Sequence, residues 1–128
     1  MIKASGIAHA TLTVSDIVRT KSFYEQLFGT LFQKDSQHSF SLLPVGIPCW
    51  FVQSGKPPSG DVFDEKRIGL DHIAFKVEIL EMLNEVIERL REMGVVNAGL
   101  ERFAGKYPYV AFRDPDNIQV EFFIPKEM

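Results

Sequence analysis

The chain has 128 residues, of which 45% are hydrophobic and 24% charged, a composition typical of one globular domain with its own core. The formal net charge of −3 disfavours nucleic acid or an anionic membrane as the main partner, and the single cysteine, Cys49, excludes an intramolecular disulfide. The N-terminus lacks the apolar core of a signal peptide, and no apolar run approaches the roughly 20 residues of a membrane helix, so we expect a cytoplasmic protein.

The first part of the chain predicts a strand, a helix and three further strands. Residues 7–14 alternate between apolar and polar side chains, which is typical of a half-buried strand, and His9 lies on its polar face. Ser15 and Asp16 are candidate N-caps of the helix, and Gly29 is its candidate C-cap. The further strands are predicted over 30–35, 38–44 and 47–53.

The same order of elements then repeats after a loop. Residues 54–69 are rich in glycine, proline and charge, which predicts a linker. A strand over 71–77 again carries a histidine, His72, on its polar face, and the apolar stripe of a second helix ends at Gly94. Strands are predicted over 95–103, 109–113 and 118–124, with the sequence DPDN as a turn between the last two.

The chain therefore consists of one βαβββ module written twice, over residues 6–55 and 68–125 of a single domain. In each module the apolar row of the sheet is expected to lie under the helix. His9 and His72 then point to the opposite side of their sheets, which we call the inner face.

A candidate metal site follows from a third residue on the inner face. Glu121 lies in the middle of the last strand among bulky residues, where a carboxylate is costly to bury unless it is paired, hydrogen-bonded or bound to metal. Two imidazoles and one carboxylate suit a divalent metal and leave coordination positions for water or substrate. The alternative is that the histidines are hydrogen-bonded structural residues and the glutamate is solvated, and periodicity alone leaves both interpretations open.

Other chemically capable side chains carry weaker signals. Tyr107, Tyr109 and Arg113 are candidate pocket residues, although ordinary strand aromatics and a surface charge would give the same pattern. We interpret His38 as a residue of the surface or of a pocket rim. Cys49 aligns with the apolar row of the last strand, which favours a buried structural thiol over a nucleophile. The sequence contains no glycine-rich phosphate loop, nucleophile elbow or nucleotide fingerprint.

The repeated pattern and its motifs resemble a known family. The stretches HATLTVSD…FYEQLFG, LDHIAFKV and FRDPDNIQVEFF are similar to those of the vicinal oxygen chelate superfamily. This family includes glyoxalase I, fosfomycin-resistance proteins, extradiol dioxygenases, methylmalonyl-CoA epimerase and bleomycin-resistance binding proteins. The resemblance spans nearly the whole chain. It implies an α+β fold in which two βαβββ modules form a cupped, barrel-like mixed sheet.

The resemblance also implies a set of ligands. The family's metal ligands lie on the first strand of each module and on the last strands, and His9, His72 and Glu121 match those positions. It implies a divalent metal (Mn, Fe, Ni, Zn or Mg) that chelates neighbouring oxygens of a small-molecule substrate. Trp50 occupies the fourth position, where glyoxalase I carries a carboxylate. Tryptophan cannot ligate a metal, so this departure disfavours glyoxalase I activity, and we expect Trp50 to form an apolar wall of the pocket.

The expected function is that of a metal-dependent enzyme of the glyoxalase and dioxygenase type, with lyase, isomerase, thiol transferase and dioxygenase activity all open. The alternative is a metal-free protein that binds a drug or metabolite, as the bleomycin-resistance members do. Modules pair across subunits in much of the family. The resemblance therefore implies a homodimer, in which His9 would come from one chain and His72 with Glu121 from the other.

Overall fold

A computed structural model describes residues 1–29, 33–42 and 46–128 of the chain. In this part of the chain no helix is long and apolar enough to cross a membrane. The elements, in chain order, are β1 (Ala10–Thr13), α1 (Ile17–Phe28), β2 (Gln33–Ser36), β3 (Ser39–Leu42), β4 (Cys49–Val52), β5 (Ile73–Lys76), α2 (Leu80–Glu92), β6 (Glu101–Phe103), β7 (Tyr107–Arg113) and β8 (Gln119–Phe123).

The strands form two four-stranded mixed sheets of the same topology, ordered β1-β4-β3-β2 and β5-β8-β7-β6. In each sheet the first strand of the module runs parallel to the last, and the remaining pairs are antiparallel. Two small mixed sheets with two helices confirm the α+β class and the repeated βαβββ order. Strand hydrogen bonds join the members of each sheet, and the two sheets remain separate.

The helices begin and end for local reasons. The Asp16 carboxylate accepts hydrogen bonds from the backbone N–H groups of Val18 and Arg19 and so caps α1. Gly29 ends α1 at φ 68°, a left-handed conformation that glycine adopts without a Cβ penalty. In α2 the buried residues recur at helical spacing, as the apolar stripe predicts: Leu83, Val86, Ile87 and Leu90.

Several predicted strands are longer than the observed ones. The observed strand β1 starts at Ala10. To extend its pairing with β4 towards the N-terminus, residue 48 would have to donate its backbone N–H, and Pro48 has none. The predicted strand over 95–103 shrinks to Glu101–Phe103 because Asn97 Oδ1 accepts the Gly99 N–H (2.9 Å) and turns the chain. Residues 30–32 and 43–44, also assigned to strands, lie outside the described residues.

The hydrophobic core joins both modules. Tyr24 of α1 lies 4.7 Å from Phe51 in the first sheet, measured between ring centroids, and Phe28 lies 5.4 Å from Phe122 in the second. Alternate residues of β7 and β8 are buried in this core, and those between them are partly exposed. Each sheet therefore packs one face on the core, and no helix of the described residues covers its inner face.

The turn after β7 ties the second module to the start of the first helix. Asp114, which is buried, accepts hydrogen bonds from the Tyr24 hydroxyl (3.0 Å) and from the backbone N–H groups of Asp116 and Ile118 (2.9 Å each). The carboxylate of Asp116 accepts from the Ser15 N–H (3.0 Å) and from the Ser15 hydroxyl. Burial raises the pKa of Asp114, and these hydrogen bonds oppose the rise.

Replacing Tyr24 with phenylalanine tests this connection. The change keeps the ring in the core but leaves one oxygen of buried Asp114 without its donor, which we expect to cost about 1–3 kcal/mol of unfolding free energy. Tyr109→Phe is the matched control, because its hydroxyl contacts Glu101 at the surface (3.3 Å). Urea denaturation should show a large loss for Tyr24→Phe and a small one for the control; equal losses would contradict the assignment.

Candidate metal centre

Two of the predicted ligands lie together at the second sheet. His72 immediately precedes β5, and Glu121 lies in the middle of β8, where it pairs with Ala74. His72 Nε2 is 3.6 Å from Glu121 Oε1, which is too long for a hydrogen bond. Two ligands bound about 2.1 Å from one metal lie roughly 3.0–3.4 Å apart, so the pair needs only a small adjustment to share an ion.

Each of these two side chains has a second polar partner that orients it. Asp71 Oδ1 lies 2.6 Å from His72 Nδ1, and an ionised carboxylate can only accept, so the proton resides on Nδ1. Nε2 then faces Glu121. Gln119 Nε2 donates to Glu121 Oε2 (3.4 Å), which leaves Oε1 on the side of His72. Partners of this kind commonly hold metal ligands in their binding orientation.

The third predicted ligand lies elsewhere. His9 immediately precedes β1 in the first sheet and is exposed, and it lines a shallow concavity of about 330 Å³ with Thr11, Trp50 and Val52. The registers Ala10↔Cys49 and Ile73↔Val120 show that Trp50 occupies the position equivalent to Glu121. The first module therefore repeats the histidine of the second and replaces its carboxylate with an indole.

Within one chain, the described residues bring no three His, Cys, Asp or Glu side chains close enough to hold a metal ion. Each sheet instead carries one group of the predicted residues on its inner face, and we call each group a half-site. One half carries His9 and Trp50, and the other carries His72 and Glu121. The division of the site between two subunits stays a prediction.

The remaining pocket candidates belong to the second half-site or border it. Tyr109 and Arg113 line the same concavity as Glu121, which has a volume of about 330 Å³. Burial, followed by the charge of Glu101, raises the pKa of Tyr109, so its hydroxyl stays protonated at neutral pH. Tyr107 lies at the start of β7 and stacks on Phe123 (6.1 Å between ring centroids).

Three residues near the half-site were not identified from the sequence. Asp71 could have been found as the neighbour of His72, and Gln119 as the residue two positions before Glu121 on the same face of β8. Glu65 had no such signal, because it lies in the linker and reaches Arg113 only in the folded chain. Its two oxygens accept from Arg113 Nη1 (2.8 Å) and Nη2 (2.9 Å).

Two further residues have the environments that were expected of them. Cys49 is 2% exposed, and burial raises the pKa of its thiol to about 11. A thiol of this kind stays protonated and is a poor nucleophile, which confirms the structural interpretation. His38 is exposed, in agreement with a surface position.

Comparison with known proteins identifies the family. The family model of the Glyoxalase/Bleomycin resistance protein/Dioxygenase superfamily matches residues 6–122, and the chain belongs to this superfamily. The fosfomycin resistance protein FosX of Listeria innocua is 30% identical over 121 residues, which cover 88% of this chain and 84% of FosX.

Solved structures agree with this assignment. A glyoxylase/bleomycin resistance protein/dioxygenase domain from Frankia sp. EAN1pec is 28% identical with a TM-score of 0.80, over 95% of this chain and 93% of that one. A mutant of FosX from Listeria monocytogenes, solved with Mn(II) and 1S,2S-dihydroxypropylphosphonic acid, is 27% identical with a TM-score of 0.70, over 94% of this chain and 90% of that one.

The acid titration of Glu65 tests the geometry at Arg113. Hydrogen bonding to the Arg113 guanidinium lowers the pKa of Glu65 from its ordinary 4.5 to about 2. Because the folded-state pKa is the lower one, the pair stabilises the fold above pH 4.5, and this contribution is lost as the pH falls towards 2. Carboxyl NMR should show the Glu65 titration return towards its ordinary range in Arg113→Gln.

Glu78 provides the internal control for this titration. Its pKa is lowered by Lys76 and Lys126, so it should titrate identically in the wild type and in Arg113→Gln. A Glu65 titration that does not move in the variant would show that the ion pair does not form in solution.

Proposed function

We propose that the protein is a divalent-metal-dependent enzyme that acts on a small substrate bound to the metal through two neighbouring oxygens. The observation that carries this proposal is the convergence of His72 Nε2 and Glu121 Oε1, which lie 3.6 Å apart. Asp71 contacts the other ring nitrogen of His72 and so orients Nε2 towards the carboxylate. The carboxylate is only 12% exposed, and among the described residues no lysine or arginine side chain lies within ion-pair distance of it. A bound cation would compensate its charge.

The third ligand in this proposal is His9 of a second subunit. The half-site of the first sheet has a histidine and lacks a carboxylate, and the half-site of the second sheet has both but lacks a further nitrogen ligand. No helix in the described parts of the chain covers either inner face, so two chains related by a two-fold axis can bring unlike half-sites together twice. We therefore propose a homodimer with two equivalent metal sites.

The residues of the combined site have distinct tasks in this proposal. The metal, when bound, acts as a Lewis acid that polarises the chelated oxygens of the substrate. Asp71 keeps the proton of His72 on Nδ1, Trp50 forms an apolar wall that excludes water, and the protonated Tyr109 hydroxyl is a hydrogen-bond donor in the same concavity as Glu121. Trp50 at the fourth position disfavours glyoxalase I chemistry.

The relatives support this chemistry without selecting a reaction. FosX of Listeria monocytogenes was solved with Mn(II) and a ligand that carries hydroxyl groups on adjacent carbons, which favours manganese as the first metal to test here. Nitrogen and carboxylate ligands also suit Fe, Ni, Zn and Mg. The lone buried Cys49 fits a reducing compartment, and we propose a cytoplasmic location on that ground.

Metal retention tests the ligand set. Chelator-treated protein, supplied in turn with Mn, Fe, Ni and Zn and then dialysed, should retain about one ion per subunit with at least one metal. His9→Ala, His72→Ala and Glu121→Ala should each reduce retention by about 10-fold or more, and His38→Ala, an exposed histidine outside both half-sites, should retain the wild-type amount. Equally low retention by the wild type and His72→Ala would reject the proposal. Metal-independent stabilisation by a large aromatic ligand would then favour the metal-free binding protein.

A mixing experiment tests the division of the site between subunits. His9→Ala and His72→Ala are each expected to lack both sites, but a dimer with one subunit of each kind has one intact site. Co-refolding the two variants in equal amounts should therefore restore about a quarter of the wild-type metal capacity. A mixture that binds no more metal than either variant alone would contradict the shared site, and light scattering gives the subunit number independently.

A further inference from the structure

Arg113 is the cationic side chain of the concavity that contains Glu121. It ends the inner-face row of β7, and the register places Ala111 opposite Glu121 and Arg113 opposite Gln119. Arg113 and Glu121 are thus diagonal neighbours on one sheet face, a relation in which long side chains reach each other. The charged residues that line this concavity are Glu101, Arg113 and Glu121.

The guanidinium of Arg113 already binds a carboxylate in a two-point arrangement. Nη1 and Nη2 each donate to a different oxygen of Glu65, and Nη1 also lies 3.3 Å from the Asn117 carbonyl. The parallel fork of an arginine is the geometry that recognises carboxylate and phosphonate groups selectively. Glu65 shows that an oxyanion fits at this place.

Glu65 belongs to the linker between the modules, which is fastened next to it. The Phe63 N–H donates to the Asp116 carbonyl (2.9 Å), and Asn117 Nδ2 donates to the Phe63 carbonyl (2.9 Å). The residues that follow Glu65, 66–70, are exposed. The carboxylate of Glu65 can therefore leave Arg113 while the linker stays attached at Phe63.

The exposure of the pair allows such an exchange. The side chain of Arg113 is 40% exposed and that of Glu65 is 27% exposed, and ion pairs open to water are weak. Besides Glu65, the acidic groups Asp64 and Asp71 act on Arg113, and Glu101 and Glu121 line the concavity. An additional anion would meet this negative field, whereas an anion that replaces Glu65 leaves the charge balance at Arg113 unchanged.

We propose that Arg113 binds an oxyanion group of the substrate, and that Glu65 occupies this position in the substrate-free protein. The inference rests on the proposed function and narrows its substrate class to small molecules that carry a carboxylate or phosphonate beside the chelated oxygens. A neutral molecule cannot replace Glu65 on the guanidinium, so it gains no affinity from Arg113. Arg113 is then the residue that distinguishes anionic from neutral substrates.

Three matched ligands test this specificity: a dihydroxybutanoate with vicinal hydroxyls, the corresponding dihydroxypropylphosphonate, and the neutral vicinal butanediol. Calorimetric titration of the metal-loaded wild type should show at least about 10-fold tighter binding of one of the two anions than of the diol. The tighter anion identifies the oxyanion, and either one supports the proposal. Arg113→Gln should lose most of this preference for the tighter anion over the diol.

Glu65→Gln separates a competing carboxylate from a merely structural ion pair. Removal of the competitor should tighten anion binding several-fold and leave diol binding unchanged, while Lys21→Gln, which removes a cation paired with Glu25 on α1, should change neither. Anion binding by Glu65→Gln that is equal to or weaker than that of the wild type would overturn the proposal. Discrimination between anion and diol that is undiminished in Arg113→Gln would also overturn it.

The titration of Glu65 distinguishes a failure of this proposal from a failure of the metal site. In metal-free protein, a saturating oxyanion ligand should release Glu65 and raise its pKa towards its ordinary range, whereas the diol should not. If the protein retains no metal but an oxyanion still raises the pKa of Glu65, the proposed metal site is rejected and the proposed role of Arg113 is kept. If metal is retained and neither anion alters the Glu65 titration, the role of Arg113 is wrong.

Discussion

The connection between the DPDN turn and α1 holds the two modules in one body. Buried Asp114 stabilises its own turn through two backbone donors and uses its remaining oxygen for the Tyr24 hydroxyl, in the helix of the other module. Asp116 repeats the connection through Ser15, next to the N-cap of α1. A buried carboxylate without these donors would be strongly destabilising, so the contacts that satisfy it also determine how α1 lies against the second sheet.

That placement of α1 decides which faces of the sheets remain open. The helix lies against Phe51 of the first sheet and Phe122 of the second, so both helix-covered faces belong to one core. The inner faces consequently have no cover within the described parts of the chain, although they carry His9, Trp50, His72 and Glu121. The helices cover one face of each sheet. The polar side chains of the opposite faces therefore stay accessible to a second subunit and to ligands.

In the second half-site, polar neighbours orient the two predicted ligands. Asp71 selects the nitrogen that His72 presents, and Gln119 selects the oxygen that Glu121 presents. Arg113 lies one register position further along the same face and is paired with Glu65 of the linker. The linker thereby places a charged side chain at the concavity as well as joining the modules.

The sequence by itself determined the repeated βαβββ order, because alternation along strands, helical spacing and caps such as Asp16 and Gly29 are local properties. It also placed His9 and His72 at equivalent positions of the two modules, although inside the predicted strands and not one residue before them, and it matched Trp50 with Glu121. The sequence did not predict that β1 starts at Ala10, because this limit depends on the partner strand. It did not predict that β6 starts at Glu101, because this limit depends on a turn made by a side chain. Only the tertiary structure separated His9 from His72 and Glu121, because their separation depends on how α1 packs between the modules. Only the tertiary structure brought Glu65 to Arg113, because this contact depends on the path of a linker that has no periodic pattern.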